Sequence, residues 1–173
     1  MSKQTLRQHS CVEEILDDTI FLSGADALVN PVNCRGVSGA GLALEFRKRF
    51  PEQQKAYEKH CRQGLMKPGD VLVVPPAGLD PFILYFATKD HWKDPPRYEW
   101  IETGLNKTAE TCVQLNITSL ALPALGCGLG GLDWFRVRDL VYRAFDRIVG
   151  MRVLLYVPRK VGTYNVSTME VPE

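Results

Sequence analysis

Residues 30–41 read NPVNCRGVSGAG, and residues 121–134 read ALPALGCGLGGLDW. Each stretch leaves a short apolar run, passes through closely spaced glycines and enters a segment with helical spacing. Gly36, Gly39 and Gly41 carry the first; Gly126, Gly128, Gly130 and Gly131 carry the second. Glycine tolerates positive φ and lets another group approach bare backbone. Backbone N–H groups gathered ahead of a helix N-terminus make an anion site, favoured by the helix dipole. One such loop can grip a phosphate, and two on one edge a diphosphate and the sugar beside it.

The segments around the loops fix their setting. ALVNPV, DVLVVPP, FILYFAT, TSLALP and MRVLLYVP read as strands. CVEEIL and TIFL, flanking Asp17 and Asp18, read as further strands or a hairpin. Leu42, Phe46 and Phe50 recur four apart and predict one helix; Pro51 opens a second, closed by Gly64. Ile101, Leu105, Ala109 and Cys112 predict a long third helix. Asp133 is placed to cap a fourth, with Val137, Leu140, Val141, Ala144, Phe145 and Ile148 on its apolar face. Continuous apolar strands separated by helices imply an α/β domain with a largely parallel sheet covered on both faces. Ligands of such sheets bind at the carboxyl ends of the strands, so both glycine loops belong on that edge.

Bulk properties narrow the field. A chain of 173 residues with 45% hydrophobic and 24% charged content suits one soluble domain with its own core. A net charge of +1 gives no case for broad nucleic-acid binding, though a local basic patch stays open. Five cysteines without a CxxC pair argue against a disulfide framework or a zinc site, and no metal is expected. No apolar run approaches a membrane span, and MSKQTLRQHS lacks a signal-peptide core. A cytoplasmic protein is the expectation. The domain is expected over residues 1–158, with 159–173 a loose or partly ordered tail.

Two familiar glycine motifs fit poorly. GCGLGG satisfies G-x-G-x-x-G, but the strand after it ends in Pro158, Arg159 and Lys160 rather than an acid, and too little chain follows for a second nucleotide-binding half. A P-loop is absent. A purely structural role for both loops is the remaining bland reading.

DALVNPVNCRGVSGAGLALEFRKRFP followed by ALPALGCGLGGLDW resembles the macrodomains, the ADP-ribose-binding family, from about Asp18 to Pro158. Within that family, FATKDHWKDPPRYEWIETGL resembles the branch of the DarG antitoxins and the terminal ADP-ribose protein glycohydrolases, DarG more closely. The resemblance implies a three-layer α/β/α sandwich with a mixed, largely parallel sheet. It implies that Asn33, Cys34, Gly36, Val37, Gly39, Gly41 and Leu42 wrap the diphosphate and distal ribose, Asn33 bonding ribose hydroxyls. Pro123, Gly126, Cys127, Gly128, Leu129, Gly130, Gly131 and Leu132 would close from the other side. Asp18 is the candidate for the adenine amino group, with Asp17 the alternative.

Lys89 is the implied nucleophile, attacking the anomeric carbon of the distal ribose; an amine neutral part of the time, as partial burial allows, suits that step. The alternative is an ordinary solvated lysine. His91, Trp92 and Lys93 are expected to contact a nucleotide by stacking and charge, or Trp92 packs the loop onto the body. Cys34 and Cys127 read as small fillers, and Trp100 and Trp134 as packing residues. The protein-directed enzymes carry an acid where this chain has Gly130, so the general base is unassigned and a DNA-linked substrate is favoured. The reading is therefore a cofactor-free, monomeric glycohydrolase that removes ADP-ribose from single-stranded, thymidine-containing DNA, with a DarT-like toxin as functional partner. Removal of ADP-ribose from protein, deacylation of O-acyl-ADP-ribose, and non-catalytic binding of ADP-ribose or a related nucleotide are the alternatives. The C-terminal toxin-binding region of DarG antitoxins is not expected in this chain.

Overall fold

A computed structural model describes residues 11–161 and 164–165. Its elements are β1 (Val12–Ile15), β2 (Ala27–Val32), α1 (Gly41–Arg49), α2 (Pro51–Arg62), β3 (Val71–Val74), β4 (Phe82–Ala87), α3 (Tyr98–Gln114), β5 (Ser119–Leu122), α4 (Trp134–Phe145) and β6 (Arg152–Tyr156). Beyond them β7 (Lys160–Val161) and β8 (Tyr164–Asn165) pair as a small antiparallel ribbon, so part of the expected loose tail is regular. The first ten residues, read as lacking a signal-peptide core, and most of that tail lie outside the described residues.

Six strands form one sheet in the order β1-β6-β5-β2-β4-β3. Every pairing is parallel except β3 with β4. That exception follows from chain length: residues 75–81 are too short for the crossover that parallel strands require. The two-residue period of the strands divides their side chains between two cores. Val29, Leu84, Phe86, Leu122 and Leu155 face α3 and α4. Leu28, Val32, Ile83, Tyr85 and Leu154 face α1 and α2. These are the three layers that the continuous apolar strands predict.

One expectation fails locally. TIFL is no strand: Ile20–Leu22 form a single 3-10 turn, opened by Thr19 whose hydroxyl accepts the Phe21 N–H. Asp17 just before it takes a positive φ of 52°, which turns the chain out of β1. Ile20 is thereby buried in the α1–α2 core while Leu22 stays exposed. One close contact clamps the sheet to α3. The ring of Phe86 lies so close to Gly104 that a Cβ there would be 2.2 Å from it. Within α3, Thr108 sends its hydroxyl back to the Gly104 carbonyl at 2.8 Å.

Candidate functional site

β5, β2 and β4 are adjacent and parallel, so their carboxyl ends share one edge. The second glycine loop follows β5, the first follows β2, and Lys89 lies just past β4. The three connections rise side by side, the first glycine loop in the middle.

The first loop is held by polar side chains. Asn33 is 7% exposed, and its carbonyl-type oxygen Oδ1 accepts the Arg35 N–H at 2.9 Å and the Val37 N–H at 3.4 Å. Its Nδ2 donates to the Val37 carbonyl at 2.9 Å. From α2 below, the Tyr57 hydroxyl donates to the Asn33 carbonyl at 2.8 Å, with Oδ1 at 3.2 Å. Gln54 Nε2 donates to the Ser38 hydroxyl at 3.0 Å. Asn33 thus works first as the internal staple of its own loop, with one amide hydrogen left over. Burial pushes the Tyr57 phenol well above its usual range and keeps it a donor.

The β2–β4 ladder continues past the strands into this loop. Thr88 N–H donates to the Val32 carbonyl at 3.0 Å and Cys34 N–H to the Asp90 carbonyl at 2.8 Å. Cys34 Sγ lies 3.4 Å from the Lys89 carbonyl, and Arg35 pairs with Asp90 at 2.8 Å. Lys89 is therefore fixed to the backbone of the first loop. Its half-buried side chain lines a cleft of about 410 Å³ together with Asn33, Val37, Gly39 and Trp92. Thr88, Ala40 and Ala43 also line it, none of which the sequence singled out. Among the described residues no carboxylate pairs with the Lys89 ammonium.

The second loop is held by backbone and shape and stands outside the lining of that cleft. Leu132 N–H closes onto the Gly126 carbonyl at 2.9 Å, and Cys127 N–H onto the Ala124 carbonyl at 3.2 Å. Pro96, at the end of the Lys89 connection, packs against Gly126 and Gly130. A Cβ at Gly130 would lie 2.6 Å from the Gly126 carbonyl oxygen and 2.8 Å from Pro96, so this loop conformation has no room for an acid there. Asp133 instead accepts the Phe135 N–H at 2.8 Å and the Arg136 N–H at 3.3 Å, capping α4. Pro123 is buried beneath the loop, Leu132 packs inward and Leu129 is fully exposed at the tip. Leu42, grouped with the first loop by sequence, packs against the α1–α2 core.

The glycines separate into two kinds. Gly41 and Gly131 need positive φ, Gly36 and Gly126 both need it and lie close to Cys61 and Leu132 respectively, and Gly130 has no room for a Cβ. Gly39 and Gly128 need neither: their φ is ordinary and a Cβ on either would meet nothing within 4 Å. Open space beside a residue with no side chain, in both loops, is what close approach by a ligand requires. A larger hollow of about 680 Å³, lined by Phe21, Asp26, Phe50, Asp80 and Phe82, lies at the amino ends of the same strands. It faces neither glycine loop nor the Lys89 amine, and ligands of such sheets bind at the other edge.

His91 and Trp92 stack with ring centroids 3.7 Å apart, and Trp92 stays 48% exposed. The turn that presents them is closed by Lys93 N–H donating to His91 Nδ1 at 3.1 Å and by His91 N–H donating to Asp94 at 3.2 Å. Trp134 is buried, and Trp100 is half-buried with the Arg97 guanidinium over its ring. Burial, reinforced by nearby Asp90, pushes the Cys34 thiol up to about 12; burial and Asp133 do the same for Cys127, also to about 12. Both are poor nucleophiles. Asp18 follows β1, whose parallel pairing with β6 puts it on the same edge; its Oδ1 accepts the Thr19 N–H at 2.7 Å. Asp17 and Asp18 are both exposed there. Among the described residues no cluster of His, Cys, Asp or Glu could hold a metal ion, and no helix is long and apolar enough to cross a membrane.

A three-layer sandwich with two glycine loops at the carboxyl edge of a mixed sheet is the macrodomain architecture. The chain belongs to the Macro domain family, whose profile matches residues 29–141. It is 42% identical over 141 residues to a DNA ADP-ribosyl glycohydrolase of Mycobacterium tuberculosis, an alignment covering 80% of this chain and 40% of that protein. It therefore spans well under half the length of that relative. The macrodomain of Thermus aquaticus DarG superposes with a TM-score of 0.79 at 35% identity, covering 85% of this chain and 99% of the other. Thermosipho africanus DarTG in complex with ADP-ribose superposes with a TM-score of 0.78 at 30% identity, over 92% of this chain and 43% of the other.

Proposed function

We propose that this macrodomain binds ADP-ribose between its two glycine loops and hydrolyses the N-glycosidic bond joining ADP-ribose to a thymine in DNA. The observation that carries the reading is the position of Lys89 on the wall of a cleft it shares with Gly39 and Trp92. The resemblance to a DNA ADP-ribosyl glycohydrolase and to a DarTG–ADP-ribose complex supports the same substrate class. The Lys89 amine attacks the anomeric carbon of the distal ribose. The bond to thymine breaks, and the departing nitrogen keeps its electron pair and takes up a proton. The sugar then opens as a Schiff base on the lysine, which water hydrolyses to free ADP-ribose and regenerate the amine. The loop N–H groups hold the diphosphate, and the stacked His91–Trp92 pair with Lys93 receives the leaving nucleotide. A DarT-like transferase that installs the modification is the functional partner.

The test is borohydride trapping during turnover of an ADP-ribosylated thymidine oligonucleotide, followed by mass spectrometry. An ADP-ribosyl adduct on Lys89 is expected. Lys89→Ala should lose turnover by about 10³-fold or more while calorimetry still detects ADP-ribose binding. Unchanged turnover in Lys89→Ala removes the nucleophile. A wild type that binds ADP-ribose yet cleaves nothing makes the domain a reader, and faster cleavage of modified protein than of modified DNA reverses the substrate assignment.

A further inference from the structure

Beneath the first glycine loop, on the α1–α2 face of the sheet, three side chains carry polar atoms that bond nothing in the protein. Asn30 and Tyr85 are fully buried and Gln54 nearly so. Asn30 Oδ1 and Nδ2, the Tyr85 hydroxyl and Gln54 Oε1 have no hydrogen-bond partner among the described residues. The elements bring these atoms into one layer. Leu28 and Val32 pack toward α1 and α2, so the two-residue period of β2 turns Asn30 the same way. Asn30 is in register with Tyr85 on β4, which makes the two side chains lateral neighbours on that face. The Tyr85 ring stacks on Tyr57 of α2 with centroids 4.8 Å apart. Gln54, Tyr57 and Glu58 share one face of α2.

The neighbours have little left to give. Tyr57 spends its hydrogen on the Asn33 carbonyl. Gln54 Nε2 donates to the Ser38 hydroxyl at 3.0 Å and to Glu58 at 3.2 Å. Burial, with the Glu58 carboxylate adding to it, holds the Tyr85 phenol above its usual range, so its hydrogen stays and needs an acceptor. About 90% or more of buried polar groups in folded proteins are paired, either with protein or with ordered water. The unspent set here is two donors, Nδ2 and the Tyr85 hydroxyl, and two acceptors, Oδ1 and Gln54 Oε1. All three side chains are neutral, so the set calls for a small neutral molecule that both gives and takes hydrogen bonds.

We propose that Asn30, Tyr85 and Gln54 form an internal water site between the β2–β4 pair and α2, and that this water supports the first glycine loop from below. Two connections carry that support to the cleft. Gln54 bonds Ser38, whose neighbours Val37 and Gly39 line the cleft. Asn30 leads directly into Pro31, Val32 and Asn33, which line it too.

A high-resolution crystal structure of the wild-type chain should show ordered water within hydrogen-bond distance of Asn30 and of the Tyr85 hydroxyl. Tyr85→Phe then separates a wet site from a dry one by the sign of its effect. It keeps the ring on Tyr57 and removes the hydroxyl alone. With water bound, the variant loses a bond to it, and the melting temperature should fall by about 2–4 °C. Its ADP-ribose affinity, read by calorimetry, should fall severalfold. In a dry site the same change deletes an unpaired polar atom, and the melting temperature should rise. Such a rise, or crystals in which Asn30 and Tyr85 bond each other or face an empty void, would overturn the water site. Water in the crystal together with wild-type affinity in Tyr85→Phe would overturn its support of the loop. None of these measurements uses turnover, so they succeed or fail separately from the glycohydrolase reading.

Discussion

The two glycine loops stand on one edge and share a residue type, yet they are built in opposite ways. The loop after β2 is tied down by side chains: Asn33 bonds its own backbone, and Tyr57 and Gln54 reach up from α2. The loop after β5 is shaped by exclusion, with Pro96 and Leu132 filling the space a Cβ would take at Gly126 and Gly130. A hydrogen-bonded loop fails when a polar partner is removed. A loop fitted by shape fails when an atom is added.

The largest effect is expected where an atom is added. Gly130→Asp forces a Cβ against the Gly126 carbonyl oxygen. Overpacking of that kind costs about 1–3 kcal/mol, so ADP-ribose affinity should fall about 10- to 100-fold if the loop must be rebuilt to bind. Calorimetry measures it, and wild-type affinity in this variant would dissolve the contrast between the loops. The same variant should gain no activity on protein substrates.

Tyr57→Phe is the matching subtraction in the other loop. Leaving the Asn33 carbonyl without its donor should cost about 1–2 kcal/mol in urea unfolding and weaken ADP-ribose severalfold. Combined with Gly130→Ala, the stability losses should add to within about 0.5 kcal/mol, because the two loops share no partner. A larger coupling would mean that they fold as one unit.

Gly39→Ala and Gly128→Ala should each change stability by no more than about 0.5 kcal/mol, since their Cβ atoms meet nothing in the protein. Ligand affinity should nevertheless drop in both. Unchanged affinity at either would remove that loop from the binding site.

The effect with the least bearing on stability at neutral pH concerns the two loop cysteines. Each thiol is raised from 9.0 to about 12, so between those values the folded protein keeps protons that the unfolded chain releases. Stability should therefore fall as pH climbs from about 9 toward 12, with no pH dependence from these thiols below about 9. At pH 8 iodoacetamide should modify either cysteine about 10³-fold more slowly than a free thiol, as its thiolate fraction requires. Rapid labelling of one alone would identify which loop opens.

Much of this edge was legible in the residues. Apolar runs ending at glycine clusters set both loops at strand ends, and Asp133 before an apolar face marked the cap of α4. Lys89 follows a strand too apolar to end anywhere but the core of the sheet. Other features were not legible, for separate physical reasons. TIFL has the composition of a strand, and only the positive φ at Asp17 and the Thr19 cap turn it into a 3-10 turn. Tyr57 and Gln54 read as part of an ordinary polar helix, because their task depends on which face α2 turns toward β2. Asn33 looked free to meet a ligand, whereas its nearest donors are the amides of its own loop.

The rungs joining Cys34 to Asp90 and Val32 to Thr88 carry one further consequence. They splice the amine-bearing connection to the first glycine loop, so the two are a single cartridge. Transplanting either segment alone into a related scaffold would import half of a register. A chimera that exchanges residues 32–41 together with 88–94 should keep its geometry, and one that exchanges only the lysine segment should displace the amine from the cleft wall.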